Sequence, residues 1–288
     1  MHDDHNIHEV SAKILINVAH PAMQHVMRLH APAIAKTAQP GQFVHIQVAK
    51  GPYLRRPISL MLCDPIKGTI DILFKVVGEG TRLLAAKKAG EALQLCGPIG
   101  VAFSITDTSR RYLCIGGGVG IPPMIFAADR IVAAGARPIV FAGSEVPFPF
   151  ALASSNFLLP GIPAQAMMTI QSLEARNIPC RLASNNSELF GCHAGYVADL
   201  AALWLAALPP QALQEVTILS CGPFPMLQAV AALGLRFDVP TFVSLEEYMA
   251  CGIGACAGCV VETHEHDGTH YRRVCVDGPV FDATVLRW

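Results

Sequence analysis

From His8 to about residue 103 apolar and polar positions alternate over short segments, at 13–18, 23–29, 42–48, 58–63, 69–77 and 92–96. Pro40–Gly41, Lys67–Gly68 and Gly97–Pro98 punctuate them as turns. A period of two bounded by such breakers marks half-buried strands, and six at this spacing predict a small antiparallel barrel. One short helix is expected at 81–88. After residue 106 the pattern changes. Buried strands are expected at 111–115, 138–142, 180–184 and 215–220, with helices near 122–134, 169–176, 197–207 and 221–233. Strands alternating with helices imply a parallel sheet whose ligands lie at the carboxyl ends of its strands. Residues 148–163, rich in Pro, Ala and Ser, fit neither pattern and are expected to form a surface excursion. From 241 the chain turns rich in Cys and Gly and ends in a hairpin, with strands at 259–264 and 270–276. The expected division is a barrel over 1–105, an α/β domain over 106–238 and a small cysteine-bearing domain over 239–288.

Composition narrows the classes. Of the 288 residues 52% are hydrophobic and 15% charged, enough for two or three cores and a rather apolar surface suited to a partner subunit. The net charge of −1 comes without a basic cluster, which argues against nucleic acid. The polar start MHDDHNIHEV does not read as a signal peptide, and no breaker-free run of about 18 apolar residues offers a membrane span. A cytoplasmic location is expected, with neither membrane nor nucleic acid as partner.

Six of the ten cysteines are scattered through apolar stretches and are expected in cores. Cys251, Cys256, Cys259 and Cys275 instead follow C-x4-C-x2-C-x15-C, the plant-type ferredoxin spacing for a [2Fe–2S] cluster. Three thiolates must converge from one loop, and Gly252, Gly254 and Gly258 let that loop turn tightly and bring N–H groups to the sulfurs. The fourth ligand is expected on the far strand of the hairpin. A structural zinc site would also use four thiolates, although zinc ribbons present two two-cysteine knuckles.

In the barrel, Arg56, Pro57, Ile58 and Ser59 end one strand; Leu73, Phe74 and Lys75 end another, ahead of Gly80 and Thr81 at a helix start. A fixed cation beside oriented N–H donors suits a pyrophosphate, and a serine can donate to a flavin ring nitrogen. Gly116, Gly117, Gly118 and Gly120 follow a strand and precede a helix, as in nucleotide-binding turns. Cys221, Gly222 and Pro223 stand at another strand end. Glu145, past the second strand of the sheet, favours a free ribose hydroxyl over a 2′-phosphate. The histidines at 264, 266 and 270 are expected to be solvated, and no catalytic triad, hydrolytic metal or acid–base dyad is expected.

The order Arg-Pro-x-Ser, Gly-x-Gly-Thr, GGGVG, CGP and the four-cysteine motif resembles the ferredoxin–NAD(P) reductase superfamily with an appended cluster, over about residues 10–280. SLEEYMACGIGACAGCVV is most similar to the electron-transfer subunits of NAD-dependent (class 1B) dihydroorotate dehydrogenases. The resemblance implies FAD in the barrel, held by the residues named above from Arg56 to Thr81. It also implies NAD on the sheet, facing 116–120 and Cys221 to Pro223, and a [2Fe–2S] cluster on the four cysteines. The implied partner is an FMN-containing catalytic subunit, two of each per complex, with electrons passing from its FMN through cluster and FAD to NAD+ in pyrimidine biosynthesis. Reductase subunits of hydrogenase, sulfur-reducing or transhydrogenase complexes share this build. A zinc-stabilised, non-enzymatic docking protein is an alternative of another class.

Overall fold

The computed structural model describes residues 7–49, 54–186 and 188–288. It divides into two compact units. The first comprises the described residues up to Phe103 with Leu245–Val280 and Arg287; the second comprises Ser104–Ser244, Phe281–Leu286 and Trp288.

In the first unit the alternating segments form β1 (His8–His20), β2 (Gln24–His30), β3 (Phe43–Gln47), β4 (Arg56–Asp64), β5 (Thr69–Lys75) and β6 (Ala92–Ile99). Among the described residues these close a barrel in the order β1-β2-β5-β4-β3-β6. Closure removes free strand edges. Ile14, Met27, Leu29, Val44, Ile46, Leu60, Ile70 and Ile72 are fully buried, as a period of two places them. Arg28 of β2 grips Asp71 of β5 through two hydrogen bonds of 2.6 Å. Two short helices interrupt the strands: α1 (Pro32–Thr37), absent from the sequence expectations, and α2 (Glu79–Ala85), which starts two residues before the expected 81–88. Pro32 at the first helical position of α1 explains the former, since its fixed φ suits a helix start and no apolar periodicity announces so short an element.

In the second unit the chain runs β7 (Arg111–Gly117), α3 (Ile121–Ala133), β8 (Arg137–Gly143), β9 (Leu152–Ser154), β10 (Met168–Ile170), α4 (Gln171–Glu174), β11 (Cys180–Ser184) and β12 (His193–Ala194). It continues through α5 (Val197–Ala206), α6 (Pro210–Gln214), β13 (Val216–Cys221), α7 (Phe224–Phe237) and β14 (Thr241–Ser244). The main sheet has the order β12-β11-β8-β7-β13-β14-β17, where β17 is Val280–Asp282; its pairs from β12 to β14 are parallel. Trp204 of α5 packs edge-on to Phe141 of β8 in a core completed by Leu113, Ile115, Ile218 and Val230.

Residues 148–163 are more built than an excursion. Leu152–Ser154 pairs antiparallel with Met168–Ile170, and β10 takes Thr169 and Ile170 from the expected helix at 169–176, leaving α4 four residues. The Glu174 carboxylate accepts from the Ser155 hydroxyl and the Asn156 N–H, while the buried Arg181 guanidinium donates to the carbonyls of Phe157 and Cys180. Leu159 and Ile162 pack on the sheet core, and Leu158 points to solvent.

Candidate cluster and flavin site

The first unit carries β15 (Val260–Glu265) and β16 (Gly268–Arg273), an antiparallel hairpin. The loop 250–258 before it is irregular. Positive φ at Gly252 (70°), Gly254 (80°) and Ala257 (51°) bends it back on itself. Cys275 stands in the turn that follows β16 rather than on the far strand as expected. The Val274 N–H, bonded to the Cys259 carbonyl at 3.0 Å, extends the hairpin ladder just far enough to bring that turn beside Cys259. Arg273 locks the arrangement: it donates to the Gly254 carbonyl at 3.2 Å, and Asp277 accepts from both its backbone N–H and its guanidinium.

The four sulfurs form two pairs. Cys256 hydrogen-bonds to Cys251, and Cys259 to Cys275. Burial works against a thiolate at Cys251, yet N–H groups of Ile253, Cys256 and Ala255, with the Cys256 thiol, outweigh it and bring the group down to about 6. Burial, and then the adjoining Cys259 sulfur, push Cys275 up to about 12. A bound cationic centre would relieve the resistance of Cys275 to ionisation. The loop and the hairpin turn thus offer two thiol pairs, Cys251 with Cys256 and Cys259 with Cys275, to one metal centre.

On the barrel, β4 opens with four successive half-buried residues, Arg56 to Ser59, before its buried stretch. The Arg56 guanidinium lies across the start of α2: a methyl group on Gly80 would come within 2.6 Å of its central carbon. There the Thr81 hydroxyl accepts from the N–H groups of Val77 and Gly78 and donates to the Gly78 carbonyl. Leu73 and Phe74 are buried at the end of β5, Phe74 stacked on His25 at 5.4 Å, and Lys75 is half-buried. The fold thus joins Arg56 to Gly80, 24 positions apart in sequence. A guanidinium against a helix start, with open space over Gly78, fits a dinucleotide pyrophosphate.

In the second unit Gly116 is in register with Cys221 across β7 and β13, and the Ser220 hydroxyl donates to the Ile115 carbonyl at 3.0 Å. A methyl group on Gly120 would meet the Gly222 nitrogen at 2.5 Å, and one on Gly222 the Gly117 nitrogen at 3.1 Å. The two expected nucleotide turns therefore pack against each other at the carboxyl ends of neighbouring parallel strands. Pro223 caps the first turn of α7, and the Cys221 side chain is buried. Glu145 is exposed just beyond β8. At the hairpin tip His264 lies 3.2 Å from Glu262, and His270 lies 2.8 Å from Asp267. His45, buried between β3 and the cluster loop, was missed by the sequence reading: a lone histidine in an alternating strand carries no signal of its neighbours.

Comparison with known proteins bears on the whole arrangement. The family profile "Iron-sulfur cluster binding domain of dihydroorotate dehydrogenase B" matches residues 246–287. The dihydroorotate dehydrogenase B (NAD(+)) electron transfer subunit of Shouchella clausii (strain KSM-K16) is 32% identical over 258 residues, 88% of either chain. That of Bacillus cereus (strain G9842) is 33% identical over 260 residues, again 88% of either chain. The chain belongs to this family of electron transfer subunits. Solved structures show the fold. A structure of NADH-dependent reduced ferredoxin-NADP oxidoreductase, described for flavin-based electron bifurcation, superposes with a TM-score of 0.78 at 23% identity, covering 97% of this chain and 90% of the other. The ferredoxin reductase of carbazole 1,9a-dioxygenase gives 0.64 at 24% identity, over 83% and 68%. Membership of the dihydroorotate dehydrogenase B family and the ferredoxin reductase fold are both as the motif order implied.

Proposed function

We propose that this chain takes electrons from a catalytic dihydroorotate dehydrogenase subunit and delivers them to NAD+, using a [2Fe–2S] cluster and FAD. The observation that carries this reading is the hairpin ladder, Val274 to Cys259, that brings Cys275 beside the cysteine loop, on a unit that also holds Arg56 against Gly80. FAD exchanges two electrons with a nicotinamide and one at a time with a cluster, so the two groups together supply a two-to-one conversion.

The residues divide the work. Cys251, Cys256, Cys259 and Cys275 hold the cluster, with loop N–H groups favouring the charged sulfurs. Arg56 and the α2 start with Gly80 and Thr81 bind the FAD pyrophosphate. Pro57, Ile58 and Ser59, with Leu73, Phe74 and Lys75, line the flavin. The turns of Gly116, Gly117, Gly118 and Gly120 and of Cys221, Gly222 and Pro223 receive the nicotinamide nucleotide, and Glu145 selects NAD over NADP through the ribose hydroxyls. A division into 1–105, 106–238 and 239–288 matches these three tasks. The complex holds two of each subunit and acts in the cytoplasm; no helix among the described residues is long and apolar enough to cross a membrane.

Co-purification with the catalytic subunit, followed by an orotate-formation assay with NAD+, tests the reading. Orotate and NADH should form together in equal amounts. A purified complex that oxidises another donor and ignores dihydroorotate would contradict it.

A further inference from the structure

His45 sits in the middle of β3, paired with Pro57 of β4 on one side and Cys96 of β6 on the other. It is 1% exposed, and its ring nitrogens face the backbone carbonyls of Arg55 and Cys251 without closing to a well-formed hydrogen bond. A buried imidazole always keeps at least one N–H or lone pair to satisfy, so an orphaned ring in a barrel wall needs a partner. The partner it faces is the cluster loop. A methyl group on Gly252 would meet Nδ1 at 2.7 Å, and backbone groups of Arg55 and Cys251 both act on the ring. One side of the imidazole therefore looks to the residue leading into the flavin strand, the other to the first cluster cysteine. The positive φ of Gly252 is what lets the loop lie flat on the ring.

We propose that His45 is a positioning residue that ties the backbone of Cys251 to strands β3 and β4, and thereby sets the cluster's potential and its electron exchange with the flavin. The inference rests on the cluster and flavin reading above. An N–H donated into the ligand's peptide favours the more negative, reduced cluster, so removing it lowers the midpoint potential. It also frees the loop's Gly252 edge from the strand neighbouring Arg56 to Ser59, which slows transfer between the two centres.

The test uses the complex with its catalytic partner and compares wild type, His45→Phe and His45→Asn. Phenylalanine keeps a ring against Gly252 without a donor; asparagine keeps a donor near Nδ1. Iron, FAD and the rate of flavin reduction by NADH are measured first, then the cluster's EPR line shape and its midpoint by redox titration. His45→Phe should shift the midpoint downward, change the line shape and slow dihydroorotate-to-NAD+ turnover several-fold, with NADH-to-FAD reduction unchanged. His45→Asn should return all three towards wild type. Should the phenylalanine variant fail to hold its cluster, His45→Asn against His45→Ala makes the same comparison. Wild-type potential and line shape in a variant lacking the donor would overturn the proposal, as would equal defects in the asparagine variant. Absence of iron from the wild-type protein would instead sink the reading on which it rests.

Discussion

Gly252 shows how tightly single residues constrain the cluster loop. Its φ of 70° disfavours any residue with a side chain by about 1–2 kcal/mol, and a methyl group would also press on His45. Gly252→Ala should therefore lower iron bound per chain while leaving FAD content unchanged; paired iron and flavin analysis checks it. Asp64 gives a pH-dependent case. N–H groups of Lys67 and Ile66 and the Lys67 ammonium, the Lys67 N–H foremost, hold its carboxyl below the ordinary 3.8. A depressed folded value means that Asp64 supports the β4–β5 turn above pH 3.8 and loses that support as pH falls through its own lower midpoint. Carboxyl-carbon NMR should place the midpoint below 3.8, and Asp64→Asn should speed amide exchange at Lys67. The cysteine spacing was legible because metal ligation needs fixed residue types at fixed separations. The role of His45 was not, because burial and a loop whose Gly252 lies 207 residues away decide it.

Among elements, the barrel was legible because each strand has one face in the core and one outside, which prints a period of two on the sequence. Strands of three residues print nothing, so the β9–β10 hairpin hid within 148–163 and shortened the helix expected beyond it. The Cys275 turn escaped for a related reason: a hairpin's last pair depends on ladder hydrogen bonds such as Val274 to Cys259, which no residue pattern encodes. The β2–β5 seam carries its own prediction. Asp71 is 8% exposed in its side chain and accepts both hydrogen bonds from Arg28. Arg28→Met strands that carboxylate and should cost about 1–3 kcal/mol. Calorimetry should show a lower Tm for the FAD-free protein, while the iron content of the folded variant stays at the wild-type level.

At the scale of the whole molecule, a two-electron carrier and a one-electron carrier need a flavin between them, which makes the motif order informative where each motif alone is weak. Cys256→Ser separates the two halves of that chain. It should abolish dihydroorotate-to-NAD+ turnover while NADH still reduces the bound FAD at close to the wild-type rate; loss of both in a folded, FAD-containing protein would contradict the order of carriers. The most direct test is low-temperature EPR of the anaerobically purified complex after reduction with NADH, together with metal analysis. A signal of one reduced [2Fe–2S] cluster per chain, with two irons, is the expected result. A protein without that signal, holding one zinc per chain on the same four cysteines, would contradict it.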